Sequence, residues 1–389
     1  MLNMPLMQNN IEKDDIDCLI TFLRNAEIFT QSRNVREFEE QWSKWLGVKH
    51  SVFLNSGSSA NFITMAILKE LYGGGEVIVP PIAWASDIAS VLSAGLTPVF
   101  VDVNLKTLAI DESKIIKAIT PKTKAVFLTH VLGFNGLTQN LLDELERRRI
   151  PLIEDVCESH GAVFKKRKLG TFGRASNFSF YYAHHMTTIE GGMLCTDDDE
   201  FYQYARLFRS HGMTRESTDD EFKKKIAREN PDVWEEFTFL VPGYNMRSTE
   251  LNAVMGMNQL KKLDANNKKR SENFKLFLNN LDSGKYFTDF ELEGSVNYAF
   301  VVILREKNKD LLGKVVNKLR EEKVEFRRGT AGGGNLARQP FVRKALPEIN
   351  PSIFENAEHI HSYGMYIGNY PGMEKDKILK LCSVLNELH

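Results

Sequence analysis

Short apolar runs alternate with segments of helical spacing along the first two-thirds of the chain. Residues 11–28 place Ile16, Leu19, Ile20 and Leu23 on one helical face, and a second helix starting at Ser32 or Asn34 would bury Phe38, Trp42, Trp45 and Leu46. The run 50–54 (HSVFL) predicts a strand and 62–71 a helix. The alternation continues through strand 76–79, helix 84–94, strand 98–101, helix 112–119, strand 125–128, helix 141–148 and strand 152–154. Near-continuously apolar strands spaced by helices indicate a mainly parallel sheet covered on both faces, an α/β fold. Ligands of such sheets lie at the carboxyl ends of the strands. There the chain places Ser56 to Ser58, Trp84, Asp102, His130, Asp155 and the stretch 177–197, NFSFYYAHHMTTIEGGMLCTD.

Beyond about 265 the alternation stops. A helix at 250–260 leads into a long helix at 266–281, then strands near 297–304, a helix at 309–322 and a strand around 324–327. This predicts a large domain over 1–264 and a smaller α+β domain over 265–389. Three segments interrupt the pattern. Residues 161–173 read as a hairpin whose basic tip is a solvated turn, and the charge-rich 214–236 as an exposed loop or helical insertion. The glycine run at 331–334 fits either a mobile loop or a loop that approaches a ligand.

Composition narrows the function. Among 389 residues, 50 basic and 51 acidic side chains leave a net charge of −1, which argues against nucleic acid or an anionic membrane as the main partner. Apolar residues at 42 % and charged residues at 26 % are ordinary for a globular chain. There is no apolar run of about 18 residues, and no basic stretch followed by an apolar one at the start, so a cytoplasmic location is expected. Cys18, Cys157, Cys195 and Cys382 are far apart, which argues against a metal or iron–sulfur centre and against an iron–sulfur reductase partner.

The polar residues at the strand ends carry the chemistry. In Asn55-Ser56-Gly57-Ser58-Ser59 a strand turns into a helix through small residues, which suits an anion at the helix N-terminus; an unliganded serine cap fits equally well. Asp155 ends a buried strand and needs a cationic partner to stay charged. One such partner is the protonated ring nitrogen of a heterocyclic cofactor. Together with the Gly57-Ser58 turn and an aromatic plate at Trp84, this describes a pyridoxal phosphate pocket.

The ordered motifs NSGSSAN (55–61), VIVPPIAWAS (77–86), FVDV (100–103), IEDVCESHGA (153–162), LGTFG (169–173), the 177–198 stretch, RSHG (209–212) and PGYNMRSTELNAVMGMNQL (242–260) resemble the DegT/DnrJ/EryC1/StrS sugar aminotransferases. These are fold-type I pyridoxal phosphate enzymes with an aspartate aminotransferase-like large domain. The resemblance implies that Gly57, Ser58 and Ser179 bind the cofactor phosphate, that Trp84 stacks on its ring, and that Asp155 pairs with the ring nitrogen. Glu158 stands where the family usually has Gln or His near the ring hydroxyl. Asn245 would reach the phosphate of a neighbouring subunit, which implies a homodimer with a shared active site.

One departure redirects the expected function. The family's loop reads Lys-x-x-Thr-Thr-Gly-Glu-Gly-Gly, and its lysine links covalently to the cofactor. Counting back from Thr187-Thr188, that position is His184, and Ile189 replaces a glycine. An imidazole cannot form the link but can act as a base or acid near neutral pH. His185 is expected to pack or hydrogen-bond beside it without catalytic duty. The variant resembles the family's dehydratase branch. That implies C3 deoxygenation of a nucleotide-linked 4-keto-6-deoxy sugar such as GDP-4-keto-6-deoxymannose, with the amine form of pyridoxal phosphate (PMP) in catalysis and glutamate as amino donor. The alternatives are an aminotransferase carrying a Lys-to-His change, or a dehydratase of a heptose nucleotide. Loops 214–238 and 327–340 are the places where the sugar would be chosen.

Overall fold

Seven strands form the central sheet of the computed structural model, which describes residues 1–388. Their order is His50–Leu54, Gly192–Thr196, Ala175–Ser179, Leu152–Asp155, Thr123–Thr129, Glu76–Val79 and Thr97–Phe100. Gly192–Thr196 runs antiparallel to both of its neighbours. The remaining pairs are parallel, so the α/β fold with a mainly parallel sheet is present.

The sheet feeds two cores because successive side chains of a strand point to opposite faces. Val77, Val79, Ala125, Phe127 and Ile153 enter a core with Ile63, Ile67 and Val91. Their neighbours Ile78, Val126, Leu128 and Leu152 enter another with Phe38, Trp42, Leu141 and Phe178. Both faces are covered by helices, so the strands carry few polar positions and their alternation is hidden in the sequence.

A second, three-stranded antiparallel sheet joins Ala299–Ile303 and Phe326–Arg328 to either side of Gly364–Gly368. That middle strand is not foreseen by the apolar pattern, being only five residues with glycine at both ends. Its core holds Phe277, Phe300, Val302, Leu319 and Ile367, and it also takes Leu2 and Met4 from the chain start. Met4 forms a bridge to Val324.

Two expected helices differ in extent. The helices expected at 250–260 and 266–281 are one helix, Glu250–Asn280, of 31 residues. No glycine or proline stands between its halves, and Lys261-Lys262-Leu263-Asp264-Ala265 adds no break strong enough to stop it. It buries Ala253 and Leu263 against the main-sheet core and Phe274 and Phe277 against the small-sheet core. The helix expected at 62–71 starts earlier, as Gly57–Tyr72, because Ser56 Oγ accepts a hydrogen bond from Ser59 N at 3.1 Å and caps it.

The hairpin pairs Val163–Phe164 with Arg167–Lys168 through Lys165 and Lys166, at φ of 46° and 67°. The charge-rich segment is largely exposed and folds as a short helix, Asp220–Glu229, between 3-10 turns. Residues 331–333 likewise form a 3-10 turn. Among the described residues no helix is long and apolar enough to cross a membrane.

Candidate active site

The strand-to-helix turn at 55–57 lies against the end of strand Ala175–Ser179. A Cβ on Gly57 would sit 2.5 Å from Ser179 Cβ and 3.1 Å from Cys157 Sγ. A Cβ on Gly192 would sit 2.2 Å from Ser56 O and 2.5 Å from Gly57 N. Only glycine at both places lets the backbones close up. The result is a cradle of first-turn N–H groups with the half-buried Ser58 and the buried Ser179 beside them. Helix N-termini leave such N–H groups without intrahelical partners and favour negative charge.

Next to the cradle stand three acids. Asn61, on the capped helix, donates from Nδ2 to Asp155 Oδ2 and to Asp87 Oδ1, both at 3.0 Å. Asp87 Oδ2 accepts from Thr129 Oγ1 at 2.6 Å, and Asp155 Oδ1 accepts from Cys157 N at 2.9 Å. Glu158 Oε2 accepts from Leu132 N at 2.8 Å. These donors are all neutral. Burial, followed by the charge of Asp155, raises the Asp87 carboxyl well above the usual range. Burial likewise pushes Glu158 up to about 7. Such a cluster lacks a cation, and a protonated heterocycle fits that need.

The loop after Ser179 carries the histidines. It is pinned by Thr188 N to Phe180 O at 3.0 Å and by Asn252 Nδ2 to Thr188 O at 2.6 Å. The half-buried His184 ring lies 5.6 Å from Tyr298 and 6.0 Å from Tyr181, centre to centre. Its Nδ1 has no hydrogen-bond partner among the described residues. Burial, and after it the charge of Arg270, hold the His184 imidazole down to about 3. The ring is therefore neutral across the physiological range. His185 is buried, with Nε2 3.1 Å from Val296 O, and stacks on His160 at 5.3 Å, as a packing role requires. Ile189 adopts φ 71°, the left-handed region that glycine favours, and is half exposed.

Gly57, Asp155, Glu158, Ser179 and His184 thus all lie at or just beyond the carboxyl ends of the sheet strands. Trp84 flanks the N-terminus of helix Ala85–Ser93, 58 % exposed, two residues before the Ser86 hydroxyl that Asn61 also reaches. Asn245 is exposed, accepts from Arg247 Nε at 3.1 Å and forms a bridge to Ser210, apart from the acid cluster. Asp102 is drawn away from this group: its carboxylate receives Ala357 N, Asn356 N and Lys114 Nζ, fastening helix Glu355–Tyr363. His130 is buried against Glu154 at 3.3 Å.

Asp87, Asn61, Tyr298 and Arg270 were not singled out from the sequence. Asn61 ends one of the motifs that carry the resemblance and Asp87 directly follows another, and that was the available signal. Tyr298 and Arg270 come from the distant second half and have none. A cleft of about 490 Å³ lined by Lys309, Arg328, His361 and Tyr363 among others shares none of the site residues.

The chain matches the DegT/DnrJ/EryC1/StrS aminotransferase family over residues 9–386. It is 32 % identical to the GDP-4-keto-6-deoxy-D-mannose 3-dehydratase of Yersinia pseudotuberculosis, covering 100 % of this chain and 99 % of the relative. The Escherichia coli GDP-4-keto-6-deoxy-D-mannose-3-dehydratase with bound hydrated PLP superposes with a TM-score of 0.89 at 30 % identity, over 99 % of this chain and 100 % of that one. An aminotransferase of Helicobacter pylori involved in pseudoaminic acid biosynthesis shares the fold at a TM-score of 0.85 and 21 % identity, over 98 % of this chain and 98 % of its own. The extent of these matches, together with a sheet whose strand ends carry the family's motifs, means that the chain belongs to the DegT/DnrJ/EryC1/StrS aminotransferase family.

Proposed function

We propose that this chain is a C3 dehydratase of a nucleotide-linked 4-keto-6-deoxy sugar, with GDP-4-keto-6-deoxymannose as substrate. It would use pyridoxal phosphate, in its amine form during catalysis, and glutamate as amino donor. The observation that carries the reading is His184: a neutral imidazole occupies the family's lysine position, and no lysine occurs anywhere in residues 177–197.

The residues at the strand ends suit this cofactor. Gly57, Ser58 and Ser179 would hold the phosphate in the cradle where a Cβ on residue 57 has no room. Asp155 would face the ring nitrogen, giving the acid cluster the cation it lacks. Glu158 would face the ring hydroxyl, and the exposed Trp84 would cover the ring. When bound, the cofactor would stabilise the charge left at the carbon that loses a proton and pass those electrons on to expel the C3 hydroxyl.

His184 performs the proton work. Its ring is neutral, so it can accept a proton on a ring nitrogen without first losing one. It cannot make the lysine's covalent link, so the cofactor is held by non-covalent contacts alone. Tyr181 and Tyr298 flank the ring.

A homodimer with a shared site belongs to the same reading. Asn245 is exposed beside the cradle segment, where Met246 O accepts from Asn55 N, and would face a neighbouring copy. Ile16, Ile20 and Leu23 form an exposed apolar stripe on the first helix that a second copy would cover. Light scattering of the purified protein tests this, and a monomer at micromolar concentration refutes it.

The reaction itself is tested by incubating the protein with pyridoxal phosphate, glutamate and GDP-4-keto-6-deoxymannose, followed by mass spectrometry. The expected result is a 4-keto product lighter by one oxygen, released with ammonia and 2-oxoglutarate. Accumulation of a stable amino sugar would instead establish the aminotransferase alternative.

A further inference from the structure

Three imidazoles crowd behind the catalytic loop. His160 lies 5.3 Å from His185 and 6.3 Å from His184, centre to centre. A single guanidinium is set among them. Arg270, on helix Glu250–Asn280, is fully buried, and among the described residues it forms no ion pair. Its hydrogen bonds go to main-chain carbonyls. Nη1 donates to Asn369 O and, at 3.3 Å, to Tyr298 O; Nη2 donates to His184 O at 3.5 Å. Asn369 Nδ2 returns a bond to Arg270 O at 3.0 Å, which locks the arrangement.

A buried charge with no counter-ion is costly, and a methionine or leucine would fill the space without that cost. Carbonyl dipoles offset part of it, and the rest requires a use. We propose that Arg270 is a positioning residue for His184: it fixes the carbonyl that orients the ring and sets a permanent positive charge behind the imidazole, so that the ring meets the substrate neutral and passes on any proton it gains. The proposal rests on the reading of His184 as the base.

The groups facing that ring are consistent with it. They are Tyr181 from its own loop, Tyr298 from the segment before strand Ala299–Ile303, His160, His185 and Arg270. None is an acid, so among the described residues nothing in contact with the ring cancels the guanidinium. Glu158 acts one step further out, on Tyr298. His184 O has a second donor, Asn10 Nδ2 at 3.2 Å, so loss of Arg270 removes the charge without releasing the loop entirely.

The test is a titration of the histidine side chains by NMR, on protein labelled with ¹⁵N-histidine, with and without pyridoxal phosphate. His184→Asn identifies the His184 signal. Titrated from about pH 2.5 to 8, wild type is expected to keep its His184 midpoint at about 3, whereas Arg270→Gln, which keeps hydrogen-bond donors but loses the charge, raises it by about one pH unit or more. Arg270→Lys keeps the charge and stays near wild type. In turnover, the acid limb of kcat/KM moves up in the Gln variant and not in the Lys variant, a shift that a merely structural role would not produce. Identical His184 titrations in wild type and Arg270→Gln overturn the proposal. If the Gln variant does not fold, Arg270→Met takes its place in the same comparison: a raised His184 midpoint supports the proposal and an unchanged one overturns it. Because the titration needs no substrate, a His184 midpoint that rises in Arg270→Gln in a protein without dehydratase activity would overturn the reaction while leaving the role of Arg270 standing.

Discussion

Glu158→Gln should change how stability depends on pH, by an amount that the site itself sets. The carboxyl is held by Leu132 N at 2.8 Å, and burial pushes it up to about 7 from an ordinary 4.5. A folded value above the unfolded one means that the folded chain keeps a proton which the unfolded chain has released. The stabilisation is therefore complete below about 4.5 and is lost as pH rises through about 7. At about 1.36 kcal/mol per pH unit, the loss between pH 5 and pH 8 comes to about 2.5 kcal/mol. Glutamine has nearly the same shape, can still accept from Leu132 N, and carries no titrating proton. Urea unfolding of the cofactor-free protein at the two pH values, followed by tryptophan fluorescence, measures the difference. His160, His184 and His185 are common to both proteins and cancel in the comparison, whereas the Asp87 carboxyl, which the Glu158 charge also raises, contributes to the difference. The advantage of wild type over the variant should shrink by about 2.5 kcal/mol from pH 5 to pH 8. Parallel pH dependences in the two proteins would mean that Glu158 is not protonated in the folded state near neutrality.

His184→Asn should bind pyridoxal phosphate, seen by its absorbance, while C3 deoxygenation falls by about 10²-fold or more, the usual contribution of a positioned base; retained turnover would move the base to His185. Gly57→Ala should cost about 1–3 kcal/mol in urea unfolding and weaken cofactor binding, because the added Cβ meets Ser179 Cβ at 2.5 Å. Arg209→Met leaves Glu39 buried without the guanidinium now 2.6 Å away, and should lower stability by about 3–5 kcal/mol without a specific effect on cofactor binding.

Local order was legible in the residues themselves. Apolar strands spaced by helices gave away the parallel sheet, because a strand buried on both faces cannot carry alternating polar positions. The strand-to-helix turn at Gly57 and the acid ending strand Leu152–Asp155 could likewise be placed, since such sheets hold ligands at their carboxyl ends. His184 stood out by counting back from Thr187-Thr188 along one continuous segment. Tertiary structure decided what depends on residues far apart in the chain. Asp87 and Asp155 meet at Asn61, with an Asn61–Asp155 separation of 94 residues. Arg270 reaches His184 across 86 residues, from the middle of a helix whose charged neighbours make it look solvent-facing. The same holds for Asp102, which a strand-end position suggested for the pocket and which instead fastens a helix 254 residues away. Hydrophobic periodicity reports the burial of an element's face. It is silent on which distant backbone groups will close around a charge, and those contacts set the protonation of this site.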